Sequence, residues 1–141
     1  MLEVITTIAI LGIILTMAVP NLHKPLARYR LQSTGMQLAA DLRWVRQQSI
    51  YGKATVVHIW FSLPDNFYMV RDGTKIIVYR TLPPGIRFAE VELQQRPFTF
   101  TLSGAPGGGG RIVLKNDYGE RCYVYIMPST GRIRVEMGKG Q

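Results

Sequence analysis

The N-terminal end of the chain is its longest apolar stretch. No charged residue occurs between Glu3 and Lys24, and positions 4–19 are almost entirely apolar. A run of this length suits a membrane-spanning helix, which needs about 20 residues to cross a hydrocarbon core of about 30 Å. A cleaved secretory signal is the alternative, but there is no basic start and no small-residue cleavage motif before Pro20. The pattern therefore predicts a retained transmembrane helix over 1–22.

The next stretch, 23–52, shows apolar positions at helical spacing. Six apolar or small residues fall at alternating steps of four and three, which places them on one narrow seam of a helix. These seam residues are Leu31, Gly35, Leu38, Leu42, Val45 and Ser49. Met36 and Ala39 are expected to widen the seam. This half of the helix is therefore predicted to be amphipathic and to carry a folded domain.

Two prolines fall where the apolar run gives way to polar sequence. Pro20 and Pro25 each remove one helix hydrogen bond, so we expect a kink in the helix rather than its end. Gly52 suits the position just beyond the last helical turn. The prediction is one long helix from Met1 to Tyr51, kinked at Pro20.

After residue 52 the hydrophobic period changes to two. Runs rich in β-branched and aromatic residues, bounded by turn residues, predict short strands. The runs are 54–61, 67–72, 74–82, 86–91, 97–102, 111–116, 121–127 and 131–137. Asp72-Gly73 between two runs indicates a tight hairpin. The predicted fold class is α+β, with the long N-terminal helix packed on antiparallel β-sheets and a β-rich globular domain over 53–141.

Three short motifs near the N-terminus form a recognisable set: Leu2-Glu3-Val4, TIAILGI at 7–13 and AVPN at 18–21. Together they resemble the N-terminal segment of type IV pilins and type II secretion pseudopilins. The resemblance implies a pilin-like subunit that packs its apolar half into a filament core with other pilin subunits. It also implies that Glu3 pairs with the N-terminal amine of an adjacent subunit during assembly.

The family resemblance also bears on processing and topology. Family precursors carry a basic leader that ends in glycine and is removed by a prepilin peptidase, so we expect such a leader upstream of Met1. A count of basic residues after the span, Lys24, Arg28 and Arg30, would place the domain in the cytoplasm. The resemblance implies the opposite, because the leader would supply the cytoplasmic charge. The expected location is the bacterial inner membrane, crossed once, with the globular domain outside the cytoplasm.

Two later stretches are similar to FimT/GspH minor pilins. They are LAADLRWVRQQSI at 38–50 and Gly131-Arg132-Ile133-Arg134 near the C-terminus. In a strand, Arg132 and Arg134 face the same side with Cα atoms about 7 Å apart, and guanidinium groups suit phosphate oxygens. In FimT-type proteins this glycine–arginine motif is implicated in binding DNA for uptake, although similar sequences occur in GspH-type pseudopilins. The alternative is a solvated strand face that Glu136 partly neutralises.

The charge balance is strongly basic, with a net charge of +8 in 141 residues. Such a balance suits a polyanion or an anionic membrane surface. The predicted helix and the turn after it contribute six cations, which are Lys24, Arg28, Arg30, Arg43, Arg46 and Lys53. Those near the span suit lipid headgroups. Arg43 and Arg46 are expected to be solvated or paired with a neighbouring subunit.

Residues with catalytic or metal-binding chemistry are few. His23 and His58 fall in different predicted elements, without a carboxylate or cysteine at ligand spacing, so no metal or cofactor is expected. Cys122 alternates with apolar residues in a predicted strand and is expected in the core. The glycines at 107–110 precede a strand rather than a helix, which favours a hairpin loop over a phosphate-binding loop. The sequence therefore predicts a protein without enzymatic activity.

Two functions remain open at this point. In the first, a minor pilin of a type IV pilus-like filament binds double-stranded DNA through Gly131, Arg132 and Arg134 during natural transformation. In the second, the subunit is purely structural and primes or caps a type II secretion pseudopilus.

Overall fold

The computed structural model describes residues 2–18, 23–52 and 57–138. Within them the chain folds as two N-terminal helices followed by eight strands, which form two antiparallel sheets. The predicted α+β class, with helix packed on antiparallel sheets, is confirmed.

The helices occupy most of the predicted long helix. Helix α1 spans Leu2–Ala18 and helix α2 spans His23–Tyr51. The predicted kink at Pro20 lies outside the described residues. Pro25 is the third residue of the described α2. In a helix the hydrogen-bond acceptor for position 25 is residue 21, which lies outside the described residues, so the kink at Pro25 stays a prediction.

Helix α1 keeps its apolar surface uncovered by the rest of the chain. All side chains over 2–14 are exposed. Among the helices that the structure describes, none is at once long and apolar enough to cross a membrane.

Helix α2 packs through the predicted seam. All six seam residues are buried, and Ala39 is buried beside them. Met36 was expected to widen the seam, but 52% of its surface is exposed. Its position on the helix therefore turns it away from the sheets, and the seam is narrower than predicted.

Most strands fall close to the predicted runs. The strands are β1 (Val57–Ser62), β2 (Phe67–Asp72), β3 (Lys75–Thr81), β4 (Ile86–Leu93), β5 (Phe98–Thr99), β6 (Gly110–Asn116), β7 (Arg121–Ile126) and β8 (Ile133–Met137). The run predicted over 97–102 forms only the two-residue strand β5. Sheet 1 has the order β3-β2-β1-β5, and sheet 2 has the order β4-β6-β7-β8. Asp72 pairs with Lys75, so the predicted tight hairpin joins β2 to β3.

Sheet 2 lies against α2 at close range. A Cβ atom added at Gly35 would lie 2.5 Å from Sγ of Cys122, so only glycine allows the helix to approach β7 this closely. Cys122 is fully buried, as predicted. The two sheets meet where Phe61 of β1 and Phe88 of β4 contact edge to face, with ring centroids 5.8 Å apart. One core therefore joins α2 and both sheets.

A polar contact ties α2 to sheet 1. Asp41 accepts a hydrogen bond of 2.6 Å from the Tyr68 hydroxyl and forms an ion pair of 2.7 Å with Arg80. Burial of the Tyr68 ring, followed by this bond to Asp41, raises the pKa of Tyr68 well above its ordinary value. Residues of two neighbouring strands thus bind the carboxylate. These contacts fix the orientation of the helix about its own axis.

Candidate nucleic-acid interface

The glycine–arginine motif lies at the turn between β7 and β8. Gly131 is buried, whereas Arg132 and Arg134 are exposed on either side of the buried Ile133. Because β8 begins at Ile133, Arg132 stands just before the strand and Arg134 within it. The structure therefore presents both guanidinium groups to solvent, in the alternation that the sequence predicts.

The two arginines differ in their surroundings. Arg134 forms an ion pair of 2.8 Å with Glu136, two residues further along the same face of β8. The Arg132 side chain makes no hydrogen bond or ion pair within the described part of the chain, and its backbone amide donates to Oγ1 of Thr130. Among the described residues, the motif thus has one cation without a partner and one that a carboxylate partly neutralises. Both DNA binding and a solvated strand face therefore remain open.

Helix α2 holds this turn through two arginines. Nε of Arg46 donates a hydrogen bond of 2.9 Å to the backbone oxygen of Gly104, and Nη2 of Arg46 donates one of 3.0 Å to that of Thr130. Nη2 of Arg43 donates a hydrogen bond of 3.2 Å to the backbone oxygen of Ile133. Arg43 is exposed, as expected for a solvated residue, whereas Arg46 is half-buried. Both also bond within the chain, which the sequence did not indicate, and they fix the loop before β6 and the start of β8 to the helix.

Gly131 is required by both conformation and space. Its φ is +63°, in the left-handed region that favours glycine. An added Cβ would lie 2.7 Å from the backbone oxygen of Gly104 and 3.2 Å from Nε of Arg46. Gly131 therefore lets the turn close on Arg46, and the turn in turn places Arg132 at the surface.

Sequence reasoning missed Arg46 as part of this site. Gly104 and Thr130 lie 58 and 84 positions from Arg46 along the chain. No spacing rule links such residues, and a carbonyl acceptor can belong to any residue type. Gly104 and Gly131 both have a positive φ. In the sequence, this contact is therefore indicated only by a glycine at each of the two loop positions.

Glu3 lies in the first turn of α1 and is exposed. Its backbone oxygen accepts hydrogen bonds from the hydroxyls of Thr6 and Thr7. Within the described residues its carboxylate has no hydrogen bond or ion pair. The pairing of Glu3 with an adjacent subunit stays a prediction.

The residues with catalytic or ligand chemistry lie apart. His58 is in β1, His23 begins α2, and the described residues contain no group of three side chains suited to a metal ion. Burial raises the pKa of the Cys122 thiol to about 11, so it stays protonated at neutral pH. The glycines at 107–110 lead into a strand rather than a helix, but the predicted hairpin loop is wrong, because β5 belongs to sheet 1 and β6 to sheet 2.

No protein-family model matches the sequence, and no curated protein matches it either. Two solved structures share the fold. A structure of the minor pseudopilin EpsH from the type 2 secretion system of Vibrio cholerae aligns with a TM-score of 0.62 at 10% identity, over 77% of this chain and 97% of that chain. A crystal structure of the minor pseudopilin EpsH from the type II secretion system of the same organism aligns with a TM-score of 0.53 at 11% identity, over 79% and 97%. At this identity the likeness establishes the fold alone, which is pseudopilin-like.

Proposed function

We propose that the chain is a non-enzymatic minor pilin or pseudopilin subunit of a type IV pilus-like filament. The supporting observation is the exposed apolar surface of α1, which no other part of the described chain covers. Such a surface is stable only in lipid or against other apolar helices. The segment 1–22 serves as the anchor in the bacterial inner membrane and then as the filament core. The globular domain lies outside the cytoplasm.

Assembly depends on Glu3 in this proposal. A carboxylate at the head of an apolar helix costs free energy in lipid unless it has a partner. The N-terminal amine of an adjacent subunit, exposed after a prepilin peptidase has removed an upstream leader, supplies that partner. The carboxylate of Glu3 has no partner among the described residues, which supports this role.

The finer proposal is capture of double-stranded DNA by Arg132 and Arg134 for uptake in natural transformation. Arg132 supports it most, because its guanidinium is exposed and unpaired while its backbone is held by the turn at Gly131. Because the backbone is already held, only the side chain of Arg132 has to lose conformational freedom on binding a phosphate. Contacts of this kind read no base sequence, so the affinity should depend strongly on salt.

A purely structural pseudopilin, which primes or caps a type II secretion pseudopilus, is the second candidate. Two observations favour it: the likeness to the two EpsH structures and the ion pair that occupies Arg134. In this case the arginines form a solvated strand face, and their removal leaves the protein's interactions unchanged.

The test is a DNA titration of residues 23–141 at several salt concentrations, with double-stranded DNA of mixed sequence. Under the DNA proposal, Arg132→Gln/Arg134→Gln weakens binding and lowers the slope of log K against log salt by about 2, one unit for each phosphate that the two arginines neutralise. Arg28→Gln/Arg30→Gln removes the same charge from exposed positions of α2 and serves as the control. Equal binding of all three proteins, or no binding at low salt, would favour the structural pseudopilin.

A further inference from the structure

The outer face of sheet 2 carries a second group of cations. Phe88, Leu114 and Cys122 are in register across β4, β6 and β7, and all three are buried on the face that meets α2. Because side chains alternate along a strand, the residues next to them point away from α2. Those neighbours are Arg87, Lys115 and Arg121, which are also in register with one another. These three residues are named the cation row.

The cation row crosses three adjacent strands. Neighbouring strands lie about 4.8 Å apart, so the row extends over about 10 Å. Arg87 and Arg121 are exposed, and Lys115 is half-buried. Like charges placed directly opposite each other destabilise a sheet. The row therefore opposes folding unless an anion offsets its charge.

No anion of the described chain does so. The side chains of the cation row form no hydrogen bond or ion pair with any described residue. The two carboxylates of the adjoining turn between β6 and β7 have other surroundings. Asp117 lines a cleft with the start of α2, and Glu120 accepts a hydrogen bond of 2.8 Å from the buried Asn116.

The rest of the same face is different. Arg111 forms ion pairs of 2.6 Å with Glu92 and 3.3 Å with Glu90, and Arg134 is paired with Glu136. Charge on that part of the face is therefore balanced within the sheet. Among the described residues of β4, β6 and β7, the three cations of the row are the ones left for a partner outside the chain.

The cation row lies at the end of sheet 2 from which the apolar segment departs. His23 and Arg30 of α2 line the cleft together with Ile86 and Asp117, which directly flank this end of β4 and β6. Only 19–22 separate α2 from α1, a connection that can span at most about 18 Å from Cα to Cα. The glycine–arginine turn is at the opposite end, because β8 begins beside the end of β7.

We propose that the cation row binds the headgroups of anionic phospholipids in the membrane that holds the apolar segment, and so docks the domain on the bilayer before assembly. This inference rests on the proposed membrane anchor. It does not rest on DNA capture, because Arg132 lies at the opposite end of sheet 2 from the cation row. The subunit then leaves the membrane in two steps, in which the headgroups are released and the apolar helix is withdrawn.

The test uses the full chain in phosphatidylcholine vesicles, either alone or with 30 mol% phosphatidylglycerol. Tyr118 is exposed in the turn beside the cation row, so Tyr118→Cys accepts a donor fluorophore, while the buried Cys122 does not react. Energy transfer to an acceptor on the lipid headgroups reports how close this turn comes to the bilayer. We expect higher transfer with phosphatidylglycerol, and a fall to the phosphatidylcholine level at 0.5 M salt, where screening is strong.

Charge variants isolate the cation row. Each Lys or Arg near an anionic surface strengthens docking about fivefold, so Arg87→Gln/Lys115→Gln/Arg121→Gln should weaken it roughly a hundredfold and leave only the small response to phosphatidylglycerol that the cations at the start of α2 supply. The control, Lys75→Gln/Arg132→Gln/Arg134→Gln, removes the same charge from other exposed sites and should keep the response. Arg121→Gln alone, which perturbs the sheet least, should weaken docking about fivefold.

Each other outcome overturns the inference in its own way. Equal energy transfer in both vesicles would refute docking. An equal loss of energy transfer in the control variant would show that docking depends on net charge and not on the cation row. Failure of the full chain to float with either vesicle would remove the membrane anchor, and the inference with it. If the row variant lost binding to duplex DNA while its energy transfer stayed unchanged, the cation row would belong to a nucleic acid instead.

Discussion

Nε of Arg46 lies 2.9 Å from the backbone oxygen of Gly104, to which it donates a hydrogen bond. The same guanidinium holds Thr130, so one side chain of α2 fixes two loops that come together only in the folded chain. A charged donor bound to carbonyl groups in a partly buried site contributes more than a neutral hydrogen bond. Arg46 therefore determines how firmly the turn that carries Arg132 is held.

Replacing Arg46 by Met keeps the apolar stem and removes both hydrogen bonds. We expect a loss of about 2 to 4 kcal/mol in the free energy of unfolding, measured by urea denaturation. Amide hydrogen exchange should rise at 101–106 and 128–132. Arg28→Met, at an exposed position earlier in α2, should change neither quantity. Unchanged exchange in the Arg46 variant would show that the loops are held without it.

Gly131→Ala tests the close approach of the turn to Arg46. The substitution meets both a left-handed φ and the backbone oxygen of Gly104, whereas Gly73→Ala meets a similar φ of +58° with open space around it. We expect Gly73→Ala to cost about 1 kcal/mol and Gly131→Ala to cost about 1 to 3 kcal/mol more. The comparison of urea midpoints separates the two causes. Equal losses would mean that the turn has room for a methyl group.

Leu42→Asp tests the packing of α2 against the sheets. Leu42 is completely buried in the core, so an unpaired carboxylate there should cost more than about 4 kcal/mol and unfold the domain. Met36→Asp, on the exposed side of the same helix, should remain folded. Circular dichroism and thermal denaturation distinguish the two variants. A stable, soluble Leu42→Asp protein would contradict the placement of the helix.

Alkaline pH should destabilise the domain. The folded chain keeps the Cys122 thiol protonated up to a pKa of about 11, whereas the unfolded chain ionises it near 9.0. Stability is therefore full below about pH 9 and falls as the pH rises towards 11, by about 2 kcal/mol for this group. The raised pKa of Tyr68 adds to the loss above pH 10. Urea unfolding between pH 8 and 11 measures the effect.

Cys122→Ala supplies the control for the pH experiment. It removes the thiol and should reduce the fall in stability between pH 9 and 11, although its stability at pH 8 is itself lower. A variant with the same pH dependence as the parent would show that the thiol is not the group responsible.

Glu3→Ala should block incorporation into filaments and leave the globular domain folded. The reason is that the proposed partner, the amine of an adjacent subunit, acts only during assembly. Thr7→Ala, which removes a hydroxyl one turn further along α1, should be incorporated normally. The measurement is the amount of each variant in sheared filaments, compared with its amount in membranes. Normal incorporation of Glu3→Ala would refute the pairing.

Much of the fold was predictable because it depends on local periodicity. The steps of four and three along α2 placed Leu42 and Val45 in the core, and the period of two placed Cys122 beneath the helix. The burial of a residue on one face follows from the geometry of its own element, whatever the rest of the chain does. Met36 was misplaced because the width of a buried seam depends on the shape of the surface that meets it.

The candidate site was predictable only in part. Alternation in a strand was enough to put Arg132 and Arg134 at the surface. The ion pair of Arg134 with Glu136 could be anticipated too, since the two residues share a face two positions apart. The hydrogen bonds from Arg46 to the turn could not be anticipated, because they join residues that only tertiary packing brings together.

By itself, the sequence determined the succession of one apolar helix, one amphipathic helix and a set of short strands, because each is encoded in neighbouring residues. Only the tertiary structure decided which cations have partners. Arg87 and Lys115 are 28 positions apart, yet the pairing of β4 with β6 sets them side by side. Strand register is chosen by the packing of the whole core. That choice leaves Arg87, Lys115 and Arg121 together at the end of the domain where the apolar segment departs, without a partner among the described residues.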